Sequence, residues 1–226
     1  MSDNFGLLEG WRRPLAWALL ALVLGPVASA AVELSDLDQP VSLAVAWKFH
    51  PGDEAVWARA DYDDSAWRTL RIPAGFRQDV EADLAWYRLT VQVGPHGRGP
   101  SIDERSNLRL GLTLGKVDSA YEVYAGGLLL GGVGALPPEE RIDYDRHRTY
   151  AIPSQAVDPA GRLVIAVRVW TSPETRGTVG SLHEGPFWIG RLEALTHREL
   201  VSELPALFLA ALFVVVGLFH LELFRR

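Results

Sequence analysis

Apolar and polar residues alternate with a period of two in short blocks along the middle of this chain, and turn residues separate the blocks. The pattern predicts strands of an antiparallel sandwich whose two sheets are each half buried. In Trp86 to Val93, Tyr87, Leu89, Val91 and Val93 share one face while Trp86, Arg88, Thr90 and Gln92 share the other. The same parity turns Leu108, Leu110, Leu112 and Leu114 inward and Arg109, Gly111 and Thr113 outward. It also turns Leu163, Ile165, Val167 and Val169 inward and Arg168 and Trp170 outward. Further strands are predicted near Val45 to Phe49, Thr69 to Ile72, Ala120 to Ala125, Leu128 to Gly131, Thr149 to Ile152 and Phe187 to Leu192, making about nine. Gly126-Gly127 is a two-residue hairpin candidate, since glycine supplies the positive φ that type I′ and II′ turns need. Pro95 to Ser106, Pro137 to Arg148 and Thr171 to Pro186 are the long connections. No block within the sandwich reads as an amphipathic helix, whereas Glu193 to Glu203 looks helical.

Continuous apolar runs replace the alternation at both ends. Leu204 to Phe224 is about 21 residues, roughly 31 Å of helix, which matches a bilayer core, and Arg225-Arg226 follow as a cytoplasmic flank would. Pro205 suits the first turn of such a span, and His220 and Glu222 fall where side chains reach the interface. Near the start, Arg12 and Arg13 precede the apolar run Leu15 to Val27, which ends in Ala28-Ser29-Ala30, the spacing a signal peptidase reads. At about 13 residues, roughly 20 Å, that run is short for a span, so a cleaved signal is favoured over an uncleaved anchor. The expected organisation is a signal segment over 1–30, a β-sandwich over 31–193, a helical stalk over 194–203 and a transmembrane helix over 204–224. The sandwich would then lie on the periplasmic side of a bacterial inner membrane.

Composition narrows the chemistry. The net charge of −6 is spread along the chain with no basic stripe, which argues against nucleic acid as a partner. The absence of cysteine excludes disulfides, thiolate metal sites and a Cys nucleophile. There is no phosphate-binding glycine loop, no G-x-S-x-G elbow and no H-E-x-x-H helix. With those motifs missing neither an enzyme nor a cofactor is expected, and His50, His96, His147, His183, His197 and His220 are scattered without ligand spacing, so no metal is expected. Asp61, Asp63 and Asp64 read as turn chemistry, with a structural calcium ion or a carboxylate pair as alternatives, and Trp67 and Tyr87 read as core anchors.

The outward positions offer a candidate ligand face. If their strands share a sheet, Trp86, Arg88, Arg109, Arg168 and Trp170 form a platform of flat aromatics and forked donors suited to sugars. The alternative is that the arginines solvate an outer face and the tryptophans pack under loops.

Several blocks carry a resemblance. Trp47-Lys48-Phe49-His50-Pro51-Gly52-Asp53, Trp57, Asp61-Tyr62-Asp63-Asp64-Ser65-Ala66-Trp67, Ile72-Pro73 and Trp86-Tyr87-Arg88 resemble the opening of galactose-binding-like jelly rolls, especially the sugar-binding domain of glycoside hydrolase family 2. Ala120 to Gly127 with Gly131 resembles that family's hairpin, with Gly126 where the family has Asn. The resemblance covers about Val45 to Val169 and implies an all-β fold with an accessory rather than catalytic role. A jelly roll followed by a membrane helix is also similar to the sensor ends of bacterial signalling proteins with SpoIIE-like phosphatase, diguanylate cyclase or histidine kinase outputs. The resemblance therefore implies a membrane-tethered sensor of a glycan or other small polar ligand, either a tethered module or the front of a receptor whose cytoplasmic signalling domain lies beyond Arg226. A structural or protein-interaction sandwich at the cell envelope is the alternative.

Overall fold

A computed structural model of the chain describes residues 31–37, 39–73, 83–94, 109–117, 119–143, 147–174 and 182–225. The expected signal segment, Leu108, the loop Pro95 to Ser106 and much of Thr171 to Pro186 lie outside the described residues. The strands are β1 (Val32–Leu34), β2 (Val41–Ser42), β3 (Ala46–Pro51), β4 (Arg68–Arg71), β5 (Leu84–Val93), β6 (Leu110–Leu114), β7 (Lys116–Val117), β8 (Ala120–Ala125), β9 (Leu128–Val133), β10 (Arg148–Ile152), β11 (Arg162–Trp170), β12 (Leu182–Glu184) and β13 (Trp188–Arg191). Among the described residues one α-helix, α1 (Leu192–Arg225), is present, and it follows β13 without a linker.

These strands form an antiparallel β-sandwich, as the alternation predicts. The larger sheet has the order β4-β3-β5-β11-β8-β9, the smaller β10-β6-β13-β2, and β7 pairs separately with β12. One pairing is parallel: β1 joins β5 through Val32↔Val91 to Leu34↔Val93. The cause is the length of β5. Its edge partner β3 reaches only from Ala85 to Arg88, and β1 satisfies the backbone groups further along the same edge.

Parity holds for the interior. Tyr87, Leu89, Val91 and Val93 of β5, Leu110, Leu112 and Leu114 of β6, and Leu163, Ile165, Val167 and Val169 of β11 meet in one buried core with Trp47, Phe49, Tyr121 and Ile189. The Trp47 indole N–H donates to the Leu43 carbonyl at 2.9 Å, so its polar edge is satisfied there. The Gly126-Gly127 turn forms with φ of +56° and +85°, the type I′ signature. A Cβ on Gly126 would stand 2.4 Å from the Ala156 carbonyl oxygen. A side chain at Gly126 would therefore force the Ala156 backbone to shift.

The outer faces are less open than alternation alone implies. Residues 52–67 lie across the larger sheet, and the first turns of α1 lie across the smaller one. On β6, Gly111 makes room for the helix: a Cβ there would be 3.0 Å from both Leu192 and Leu195 side chains. The expected stalk and span are one continuous helix of 34 residues, about 51 Å long. Pro205 therefore sits inside α1 rather than in a first turn. Having no N–H, it leaves the Val201 carbonyl without its helical donor, between the docked turns and the exposed apolar run.

Candidate functional site

The outer face of the larger sheet is where the five expected ligand contacts were to meet. Trp86 and Arg168 are directly opposite across β5 and β11, and Arg88 and Trp170 share that face. Arg109 does not join them. It precedes β6 of the smaller sheet, and its guanidinium lies 3.5 Å from Glu193 of α1. Nor is the face an open platform, because Trp86 and Arg88 are each only 1% exposed and Trp170 is buried as well.

The segment covering Trp86 and Arg88 is built from local signals. Gly52, with φ of +108°, turns the chain out of β3 while its N–H donates to Leu84. A short 3-10 turn, Ala55–Ala58, drops Trp57 onto the sheet. The Asp63 carboxylate accepts the Ser65 N–H at 2.9 Å, an Asx turn that returns the chain toward Trp67. Trp57, Ala58, Trp67, Trp86 and Ala166 then form a second buried cluster against Tyr62 and Tyr124. Trp57 meets Trp67 edge to face with centroids 5.3 Å apart, and His50 stands 4.6 Å from Trp57.

Arg88 holds this cover down from beneath. Its Nε–H donates to Asp64 at 2.8 Å, one terminal nitrogen donates to the carbonyls of Trp57 and Arg59, and the other donates to the carbonyl of Tyr62 at 3.3 Å. Four of its five N–H groups are committed, and the guanidinium also lies over the Tyr62 and Trp67 rings. Asp61 forms a bidentate pair with Arg59, so the three acidic residues of the cluster serve three separate local contacts.

Arg168 is the part of the expected face that stays partly open, with its side chain 23% exposed. It donates to both Asp53 oxygens at 2.7 Å and to Glu122 at 3.0 Å. The Trp86 indole N–H also donates to Asp53, at 3.2 Å. Burial alone would raise the Asp53 pKa, but the hydrogen bonds from Arg168 and Trp86 and the Arg168 charge outweigh it and hold the carboxyl below its usual range. Burial, and then the Glu122 carboxylate, push Tyr124 up to about 12, so its hydroxyl stays protonated and donates to Glu122 at 2.7 Å. The network ties Asp53, at the start of the covering segment, to β11 and β8.

A second polar site lies on the opposite side, at the joint between the smaller sheet and α1. Thr113, His147, Pro186, Trp188, Leu195, Arg198, Glu199 and Ser202 line a crevice of about 200 Å³. The helical stalk expected over 194–203 is instead docked on the smaller sheet, which the hydrophobic pattern does not indicate. The available signal was outward-facing Gly111 on β6, which leaves room for the Leu192 and Leu195 side chains.

No protein-family profile matches the chain, and neither does any curated protein sequence. Solved structures do match in fold. A β-glucuronidase of Bacteroides uniformis aligns at 17% identity with a TM-score of 0.50, covering 67% of this chain and 17% of that one. A glycosyl hydrolase family 2 member of Bacteroides cellulosilyticus aligns at 17% identity and a TM-score of 0.51, over 67% of this chain and 20% of that one. A β-glucuronidase from glycoside hydrolase family 2 aligns at 14% identity and a TM-score of 0.50, over 69% and 18%. The chain thus spans at most a fifth of these enzymes' length, and what it shares with them is the β-sandwich.

Proposed function

We propose that this chain is a membrane-tethered, extracytoplasmic module that binds carbohydrate or another small polar ligand without chemical turnover and passes the binding event to a cytoplasmic signalling domain. The observation that carries the proposal is the junction at Arg191 and Leu192: the last sandwich strand runs directly into a helix that is docked on the smaller sheet and then continues as an apolar rod. Its most apolar 18 residues have a mean hydropathy of 2.4 and are wholly unburied. Leu207, Phe208, Phe213, Val214 and Phe219 are all exposed, a helix apolar on every side, as a membrane segment requires. Length and composition make α1 able to cross a bilayer, and the sandwich fold shared with family 2 glycoside hydrolases supports a glycan ligand.

The purified full chain in detergent, applied to a glycan array, is expected to bind at least one class of glycan, with the binding reproduced by calorimetry. A folded chain that binds no glycan on the array would contradict the ligand-binding role and favour a structural sandwich.

A further inference from the structure

We propose that the crevice between the smaller sheet and the first turns of α1 binds one small hydroxylated carboxylate, an acidic monosaccharide. The proposal rests on the ligand-binding role argued above and gives it a site and a ligand class. Four features carry it. The crevice, at about 200 Å³, is below the range of drug-sized pockets and suits a single ring. The Arg198 guanidinium lies 4.7 Å over the Trp188 ring and has no hydrogen bond or ion pair among the described residues, so its forked N–H groups are available to a carboxylate. His147, on the same wall, likewise has no hydrogen-bond partner among the described residues and adds a ring nitrogen. Acceptors for ligand hydroxyls stand beside them: a Glu199 carboxylate oxygen accepts from Thr149 at 3.1 Å and keeps further lone pairs, Thr149 shares a hydrogen bond with Thr113, and the Ser202 hydroxyl, which donates to the Glu199 backbone carbonyl at 2.7 Å, keeps its oxygen as an acceptor. The half-buried Trp188 indole supplies an apolar wall for ring C–H groups.

The location gives such a ligand leverage. Arg198, Glu199 and Ser202 belong to α1, whereas Thr113, His147 and Trp188 belong to the sandwich. A ligand in the crevice therefore touches both sides of the joint, replacing or reinforcing the contacts of Leu195 and Glu199 that seat the helix. Its binding energy acts on the docking equilibrium of the helix that enters the membrane.

The test is calorimetry on the full chain in lipid-free detergent, with sodium D-glucuronate as probe, D-glucose as its neutral counterpart and acetate as the bare anion. Glucuronate is expected to bind, glucose and acetate at least about tenfold more weakly, and Arg198→Ala to weaken glucuronate by about ten- to a hundredfold. Arg198→Lys, which keeps charge but not the fork, should fall between, and His147→Ala should weaken binding less. All three replace exposed side chains, and unchanged thermal unfolding would show that they fold. Glucuronate binding that survives both Arg198→Ala and His147→Ala, or that is lost only in Arg168→Ala on the opposite face, overturns the crevice while leaving the ligand-binding role intact. Failure of glucuronate alongside binding of neutral glycans does the same. Failure of every glycan overturns both.

Discussion

Replacing Arg88 by alanine is expected to destabilise the folded chain by about 3–5 kcal/mol, which for a chain of this size lowers the melting temperature by roughly 6–20 °C. The residue sits at the centre of the β5 outer face, where Asp64 and the carbonyls of Trp57, Arg59 and Tyr62 all accept from one guanidinium. Alanine leaves a void in a buried layer and takes the Arg88 donor from three carbonyls, of which, among the described residues, only that of Arg59 keeps another, the Tyr62 N–H at 3.3 Å. Arg88→Lys should recover only part of the loss, because an ammonium on a flexible stem does not reproduce the fork geometry. Thermal unfolding of the full chain in detergent, followed by circular dichroism, measures both. An unchanged melting temperature in Arg88→Ala would show that the covering segment is held by something other than this residue.

Trp67→Ala should cost a similar amount, about 3–5 kcal/mol, through lost burial. Trp67 is 5% exposed and packs against Trp57, Tyr62 and His50 above Arg88. The double variant Arg88→Ala, Trp67→Ala should fall short of the sum of the two single effects. Once either residue is gone, the segment from Asp53 to Trp67 loses its seat, and the second substitution has less left to remove. Strict additivity would mean the two residues stabilise independent parts of the fold.

Most of the sandwich was legible in the chain because its interior rests on one rule. Alternation assigns faces, and the facing leucines and valines of β5, β6 and β11 do meet in the core. The turn residues were equally readable, since Gly126-Gly127 and Asp63-Ser65 act through local geometry. Parity stops at the face, however, and says nothing about what covers it. Trp86 and Arg88 point outward as expected, yet 52–67 folds over them, since Trp57, Tyr62 and Trp67 need an apolar surface and the outer face of β5 provides it. The three carbonyls and one carboxylate that meet Arg88, from Trp57, Arg59, Tyr62 and Asp64, are a tertiary arrangement with no spacing signature. Arg109 was misplaced for a different reason: face assignment by alternation does not tell which sheet a strand joins, and β6 joins the one under α1. The same limit hid the helix joint, where short β13 passes into α1 and brings Trp188 against Arg198.

The proposed topology, with the sandwich outside the membrane and α1 crossing it, is tested by labelling of single cysteines. The chain has no cysteine of its own, so each introduced thiol reports alone. Glu174→Cys lies on the exposed connection after β11, and Arg225→Cys lies at the far end of α1. In intact spheroplasts treated with a membrane-impermeant maleimide, Glu174→Cys should label at once and Arg225→Cys only after the membrane is permeabilised. Labelling of Arg225→Cys in intact spheroplasts, or protection of Glu174→Cys until permeabilisation, would contradict it.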